Sequence, residues 1–390
     1  MYEKTQKLYD ENAYLTAFEG KVLSCEAIPE GYAVILDGTA FFPESGGQTS
    51  DTGTLGGVRV TDVRIDEKTD VITHVLDGPV ETGSTVHGEI DWNKRFDKMQ
   101  QHTGEHIFSG VVCSRFSCDN VGFHLSGEIM TMDYNRPFTQ DEINNAEALA
   151  NDAVWRDLEV DARYPSAQEL AGINYRSKKE IEGAIRLVTI PGIDVCACCA
   201  PHVRRTGEVG LIKVMSFENH KGGIRVYAAC GKRALYALTR EHDLITGLAR
   251  SLSTGVPEVP GAFERMKNDL SEAKRQAAEL CEKMVSAGLS SEEFVFSGDI
   301  QMNPARRALD VWMNEGTGLR GVFAGEDDAG YSFVIGRGRK GADLKGCDAG
   351  KAVAALREKL GAKGGGSPEM AQGSVKAAKE DILSVLQSVI

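Results

Sequence analysis

Two short stretches constrain this chain more than anything else in it: His102-Thr103-Gly104-Glu105-His106 and Cys198-Cys199-Ala200-Pro201-His202. The first reads H-x-x-x-H. Two histidines four apart on a helix lie on one face, one turn above the other. The second reads C-x-x-x-H, and its cysteine and histidine could complete a tetrahedron of nitrogen and sulfur around one Zn²⁺ ion. To do so, the fold must bring two remote segments to a single point. The chain has eight histidines in all, so the coincidence carries more weight than either half. The plain alternative for the first stretch is a pair of packed, hydrogen-bonded core histidines. The residues before it read as a helix starting at Asp91, a good N-cap. Trp92, Phe96 and Met99 form its apolar stripe, with His106 inside the stripe and His102 at its edge.

The bulk properties narrow the class. A chain of 390 residues has room for several domains with cores of their own. Nine cysteines, three of them crowded at Cys196, Cys198 and Cys199, do not make a disulfide framework. Such a cluster is more often metal-binding or reactive. A net charge of −13 argues against broad, non-specific nucleic-acid binding, yet leaves room for a local basic face. No apolar run reaches the roughly 18 residues of a membrane span. The start, with Lys4 and Lys7 leading into polar residues, does not read as a signal peptide. The expectation is a cytoplasmic protein with no membrane partner.

The pattern along the chain predicts an α+β multidomain fold. Residues 1–90 read as β-rich, a small barrel or curled sheet, with strands over 32–36, 58–63, 71–76 and 84–90. Ser45-Gly46-Gly47-Gln48 falls between strands, either as a loop whose glycines let a ligand approach or as an ordinary tight turn. Residues 91–231 combine the histidine helix, a strand over 123–133, a helix over 141–158 and strands over 185–190, 211–217 and 223–229, an α+β layer. His124 falls on a strand, as a structural histidine or a lining residue. Residues 232–288 read as a helical hairpin broken at Thr254–Pro257 and Pro260. Phe263, Met266, Leu270, Ala273, Ala277, Leu280 and Met284 form its heptad seam. That seam would pack within the hairpin or between two copies, the hairpin and the last module being the candidate contacts of a homodimer. Residues 289–390 read as an α/β module, with strands over 294–296, 322–324 and 332–335 and helices over 304–313, 349–360 and 375–390. Gly361–Gly366 would be a linker or a phosphate-approaching loop.

These motifs resemble a known family. His102–His106 followed by Asp194-Val195-Cys196-Ala197-Cys198-Cys199-Ala200-Pro201-His202-Val203 is similar to the editing domain of alanyl-tRNA synthetases and the free-standing AlaX proteins. Phe42–Gln48 with Asp51-Thr52-Gly53 is similar to that family's glycine-rich signature. Gly364–Gly373 resembles the C-terminal domain that alanyl-tRNA synthetases share with DHH phosphoesterases. The likeness covers nearly the whole chain, in the order of the long free-standing AlaX form. It implies a zinc-binding editing domain and a C-terminal RNA-binding domain. The implied activity is a deacylase that hydrolyses tRNA(Ala) mischarged with serine, glycine being a further candidate. A synthetase's activation domain has no room ahead of the β-rich part, so the chain is not expected to charge tRNA.

The resemblance also sorts the residues. Cys196 and Cys199 compete with Cys198 on spacing alone. The family pattern selects Cys198, giving His102, His106, Cys198 and His202 as ligands. Where the family commonly has Gly-Gly-Thr, this chain has Cys199-Ala200-Pro201, and Pro201 removes a backbone N–H and a hydroxyl. Glu105 is a candidate general base. On an ideal helix it lies beyond His102 and away from His106, so orienting a ligand histidine is its other role. Gln48 and Thr39 are candidates for reading the serine hydroxyl. Candidate phosphate contacts are Arg176, Lys178, Lys179, Arg204, Arg205, Lys221 and Arg225, with Arg337, Arg339 and Lys363 in the last module. A solvated basic face is the ordinary reading of such groups. The competing function is a zinc-stabilised tRNA-binding protein without catalysis. A phosphoesterase is disfavoured, because no two histidines are adjacent.

Overall fold

The computed structural model of the chain describes residues 4–125, 127, 129–177, 183–340 and 347–389. It divides into two units, residues 1–244 and 245–390. The β-rich and histidine-bearing regions, expected as separate domains, thus lie within one unit.

That unit begins with β1 (Ala17–Ile28), β2 (Gly31–Leu36), β3 (Gly53–Leu55), β4 (Val58–Asp66), β5 (Val71–Leu76) and β6 (Thr85–Ile90). They pair antiparallel in the order β1-β2-β5-β4-β3-β6, and β6 returns to β1, closing a barrel. Alternation drives this arrangement, since side chains on a strand point to opposite faces in turn. On β1, Phe18 and Val22 are buried while Glu19 and Lys21 are exposed. Phe41, Phe42, Leu55, Val60 and Ile72 fill the interior with them.

One polar residue sits among them. His74 is fully buried, its Nδ1 3.2 Å from Val34 O and its Nε2 2.8 Å from Thr39 Oγ1. Burial pushes its pKa down to about 4. The imidazole is therefore neutral, donating to the carbonyl and accepting from the hydroxyl.

The chain then enters α1 (Trp92–Phe116), capped by the Asp91 side chain as expected. From Lys98 to Val112 every residue of α1 is buried, so the helix runs through the core rather than along it. Its first turns are tied to the barrel by an ion pair between Arg95 and Asp51, 0% and 1% exposed. Arg95 also donates to Ala13 O at 2.9 Å and Ala40 O at 2.6 Å, and Asp51 accepts from Phe42 N at 2.7 Å.

Beyond α1, the strand expected over 123–133 is two strands, β7 (Asn120–His124) and β8 (Met130–Tyr134). Next come α2 (Gln140–Trp155), β9 (Asp161–Arg163), β10 (Leu187–Ile190), β11 (Asp194–Ala197), β12 (Ile212–His220) and β13 (Gly223–Cys230). β12-β13-β8-β7 form one sheet and β9-β10-β11 another. α2 carries a capping box at Thr139 and Glu142. It buries Ile143, Ala146 and Ala150 in the same core cluster as Ile107, Phe108 and Val111 of α1.

After α3 (Gly231–Ser251) comes α4 (Val259–Ser291). Pro260 lies in the first turn of α4, where its missing N–H would be unpaired anyway, so it opens the helix. The heptad seam does not pack within the hairpin: Phe263, Met266, Leu270, Leu280 and Met284 are exposed in the single chain. Cys281, Val285 and Leu289 make the buried contact, against α5 (Met302–Glu315). The second unit also holds β14 (Phe294–Ser297), β15 (Leu319–Glu326), β16 (Gly330–Arg337), α6 (Ala349–Leu360), β17 (Lys363–Gly366), β18 (Met370–Val375) and α7 (Lys379–Gln387). Its sheet order is β14-β15-β16-β18-β17. The glycine run is therefore an edge strand, neither linker nor loop, and the last helix begins after β18. Among the described residues no helix is long and apolar enough to cross a membrane.

Two outcomes follow from the barrel and its clamp. Asp51→Ala would leave Arg95 buried without its partner and should cost about 3–5 kcal/mol, read as a lower urea midpoint. For His74, the folded pKa lies below the unfolded value near 6.5, so the unfolded state binds the extra proton in between. This stability is fully present above roughly pH 6.5 and is lost as pH falls towards 4, on the order of 3 kcal/mol. Urea unfolding at several pH values should show the slope, and His74→Gln should flatten it.

Candidate metal centre

The two signature stretches meet in the first unit. The ligating atoms of His102, His106, Cys198 and His202 all lie within 4.8 Å of one another. Cys198 Sγ is 3.5 Å from His102 Nε2 and 3.4 Å from His202 Nε2. With bonds of about 2.05 Å to nitrogen and about 2.3 Å to sulfur, tetrahedral zinc sets nitrogen and sulfur ~3.6 Å apart. The donor set fits that ion.

Each imidazole is held from behind. His106 Nδ1 lies 3.0 Å from Asp194 Oδ2, and His102 Nδ1 lies 2.9 Å from Gln48 Oε1. Both partners accept, so both Nδ1 atoms carry the proton and both Nε2 lone pairs face the cluster. His202 Nδ1 sits 3.0 Å from Thr103 Oγ1. Outer hydrogen bonds of this kind fix ring orientation and raise ligand basicity. The carboxylate is secured in turn by Arg176, whose Nε and Nη2 donate to Asp194 at 2.7 and 2.8 Å. Burial disfavours the Asp194 charge, but hydrogen bonds from His106 and Arg176 hold its carboxyl below the usual range.

Local sequence explains the convergence. Gly110 is one turn beyond His106, and a Cβ there would lie 2.5 Å from Ile193 O. Only glycine lets the turn before β11 approach closely enough for Asp194 to reach His106. Gly47, at φ +81°, plays a similar part, since a Cβ would meet Phe123 O at 2.4 Å. Gly47 O accepts from Leu125 N at 2.7 Å. That contact lays the 45–48 turn along β7 and brings Gln48 to His102. Phe123 packs on His102 with ring centroids 4.7 Å apart. Buried Arg186 donates to Cys198 O at 3.2 Å and Ala200 O at 2.9 Å, shaping the Cys198–His202 loop. Burial pushes the Cys198 thiol up; a bound cation would reverse that preference.

Glu105 differs from the ideal-helix expectation. Its Oε2 is 3.8 Å from His106 Nε2, on the side of that ligand rather than away from it. The reason is its anchoring: Oε1 accepts from Ser109 and Asn120, both at 2.7 Å, which turns the other oxygen towards the cluster. Gln48 is fully buried, and its Nε2 has no hydrogen-bond partner among the described residues. Thr39 is engaged elsewhere, with His74 and with Phe41 N. His124 is exposed. Cys199 is exposed at the rim, 3.6 Å from Ser45 Oγ.

Several of the candidate RNA contacts are engaged by neighbouring side chains. Arg176 serves Asp194, and Arg225 forms a two-point pair with Asp133 at 2.6 and 2.7 Å. Arg205 pairs with Asp157, and the Arg204 guanidinium stacks 4.2 Å from the Tyr14 ring. Lys221 occupies a turn at φ 47°. Lys178 and Lys179 lie outside the described residues. In the second unit, Arg337 faces Glu369 at 3.9 Å, Arg339 donates to Asn314, and Lys363 is exposed on the edge strand. Asp194, Thr103 and Arg186 escaped the sequence reading. Asp194, two residues from Cys196, was the one with a local signal.

Comparisons with known proteins agree with this geometry. Residues 185–227 match the threonyl and alanyl tRNA synthetase second additional domain, and residues 3–94 match the class II (A) tRNA synthetases. Two stretches of the chain thus match domains described from tRNA synthetases. The whole chain is 30% identical to 43% of an alanine–tRNA ligase from Ignicoccus hospitalis. Over 98% of its length it is 33% identical to 44% of the corresponding ligase from Pyrobaculum calidifontis. It therefore spans less than half the length of these ligases. Against the alanyl-tRNA editing protein AlaX-L of Pyrococcus horikoshii it is 29% identical, with 97% of each chain covered. Over nearly its whole length the chain is thus similar both to part of the alanine–tRNA ligases and to a free-standing alanyl-tRNA editing protein.

The Asp194–His106 bond should be felt in metal binding. Asp194→Asn is expected to weaken zinc affinity roughly 10–100-fold, measured by competition with a chromophoric chelator. Unchanged affinity would reduce the contact to a structural ion pair.

Proposed function

We propose that the protein is a trans-editing deacylase. It hydrolyses the ester that joins a wrong amino acid, serine first and glycine as a second candidate, to tRNA(Ala). The observation that carries the reading is the convergence of His102, His106, Cys198 and His202 with their Nε2 and Sγ atoms facing one point. These four residues would hold Zn²⁺, which when bound polarises a carbonyl or lowers the pKa of water. Likeness to the AlaX-L protein over both full lengths supports the substrate class. A cytoplasmic place of action goes with it.

The chain's own residues supply the rest. Gln48 has its Oε1 held by His102, which leaves its amide N–H₂ to donate to the substrate beside the ligands. A buried donor left unpaired costs about 1–3 kcal/mol. A hydroxyl that satisfies it separates serine from alanine accordingly. Glu105 is the candidate to hold a water and take its proton, because Ser109 and Asn120 fix the carboxylate beside His106. Outer partners keep the imidazoles in one tautomer, so little reorganisation is needed when substrate arrives.

Purified protein should release serine from Ser-tRNA(Ala) and spare Ala-tRNA(Ala). His106→Ala should lose at least a hundredfold in rate, and Gln48→Ala should lose discrimination more than rate. Full turnover by His106→Ala would remove the basis of the proposal.

A further inference from the structure

A cleft of about 890 Å³ opens in the first unit beside the candidate metal centre. Thr49, Lys98 and Leu125 line one part of it. All three adjoin site residues. Thr49 follows Gln48, and Leu125 bridges to Gln48. Lys98 precedes His102 by four residues on α1, about 6 Å along the axis. Arg233, Tyr236, Arg240 and Leu244 of α3 line another part. Their spacing of three, four and four puts them on one helical face.

The ordinary reading of that face is solvated surface. Its composition is unusual for one: Tyr236 is 71% exposed and Leu244 is 64% exposed, with Ile129 at 43% on the same cleft. Arg233 is spent on Asp97, its Nε 3.0 Å from Oδ1 and 2.9 Å from Oδ2. Arg240, one turn beyond Tyr236, makes no hydrogen bond or ion pair among the described residues. Lys98 Nζ donates to Thr49 O at 3.2 Å and to Ser50 O. An aromatic platform flanked by arginines is how proteins hold single-stranded nucleic acid, by base stacking with phosphate contacts. Glu241 also lines the cleft and Arg233 is neutralised by Asp97, so Arg240 is the lining arginine left to meet a phosphate.

We propose that this cleft takes the unpaired 3′ end of the acceptor strand, with a base against Tyr236 and a backbone phosphate at Arg240. The inference rests on the deacylase reading for its geometry. The ester lies on the terminal ribose, so the nucleotides carrying it must lead to the ligand cluster, and this cleft reaches Thr49 and Leu125, the neighbours of Gln48.

The test compares wild type with Tyr236→Ala, Arg240→Ala and Arg240→Glu. Affinity is read by fluorescence anisotropy with an uncharged acceptor-stem minihelix, with and without its unpaired 3′ nucleotides. Zinc content and melting temperature check that each variant is intact. Each variant should bind the full minihelix roughly tenfold more weakly and the truncated one as wild type does. On Ser-charged minihelix, KM should rise with kcat retained. Wild-type affinity for the full minihelix in Tyr236→Ala and Arg240→Ala would overturn the proposal. So would equal losses on both RNAs, or no minihelix binding by wild type. A wild type that binds through this cleft yet releases no serine would overturn the deacylase reading alone. Serine release with unchanged KM in the variants would overturn the cleft alone.

Discussion

The buried ion pair between Arg95 and Asp51 fixes everything downstream of it. A guanidinium with no exposed surface is tolerated only when its donors are matched, because an unpaired buried charge costs several kcal/mol. Here Asp51, Ala13 O and Ala40 O together supply the matching acceptors. The barrel and the first turns of α1 are thereby held in one register. His102 lies two turns further along the same helix, and Gln48 lies three residues before Asp51. The salt link thus joins α1 to the segment that carries Gln48, and the Gly47–Leu125 contact completes the approach of Gln48 to His102.

Around the cluster the chain invests more in the outer hydrogen bonds than in the four donors. Asp194, Gln48 and Thr103 each face an Nδ1, Arg176 braces Asp194, and Arg186 braces the cysteine loop. The sequence names two of these, in other roles: Gln48 through the family resemblance as a reader of the serine hydroxyl, and Arg176 as a phosphate contact. A charged side chain on a surface and one aimed at a buried carboxylate look identical in one dimension. The difference is the partner, which only the turn before β11 supplies.

What was legible followed from periodicity and from a few strict residue types. The Asp91 cap and most strands of the barrel could be read because alternation and helical spacing are local, whereas the choice of Cys198 over Cys196 and Cys199 came from the family resemblance. Three features were not. The heptad on α4 has the spacing of a packed seam but carries its buried contact one face over, at Cys281, Val285 and Leu289. The glycine run at 364–366 has linker composition, yet pairing with β18 makes it a strand. Glu105 points towards His106 because Ser109 and Asn120 pull one oxygen aside, a tertiary effect that an ideal helix lacks.

The burial of α1 on every side has a consequence for how a guest can be accommodated. A helix enclosed over fifteen residues, Lys98 to Val112, opens only with the whole core. Its two imidazoles are the stationary jaw of the grip. Any give must come from the opposite jaw, the turns around Gly46 and Cys199, which meet at the rim through Ser45. Those two surface turns, with Gly46 and Cys199 exposed, are thus the adaptable wall of the site, and the helix is its fixed reference.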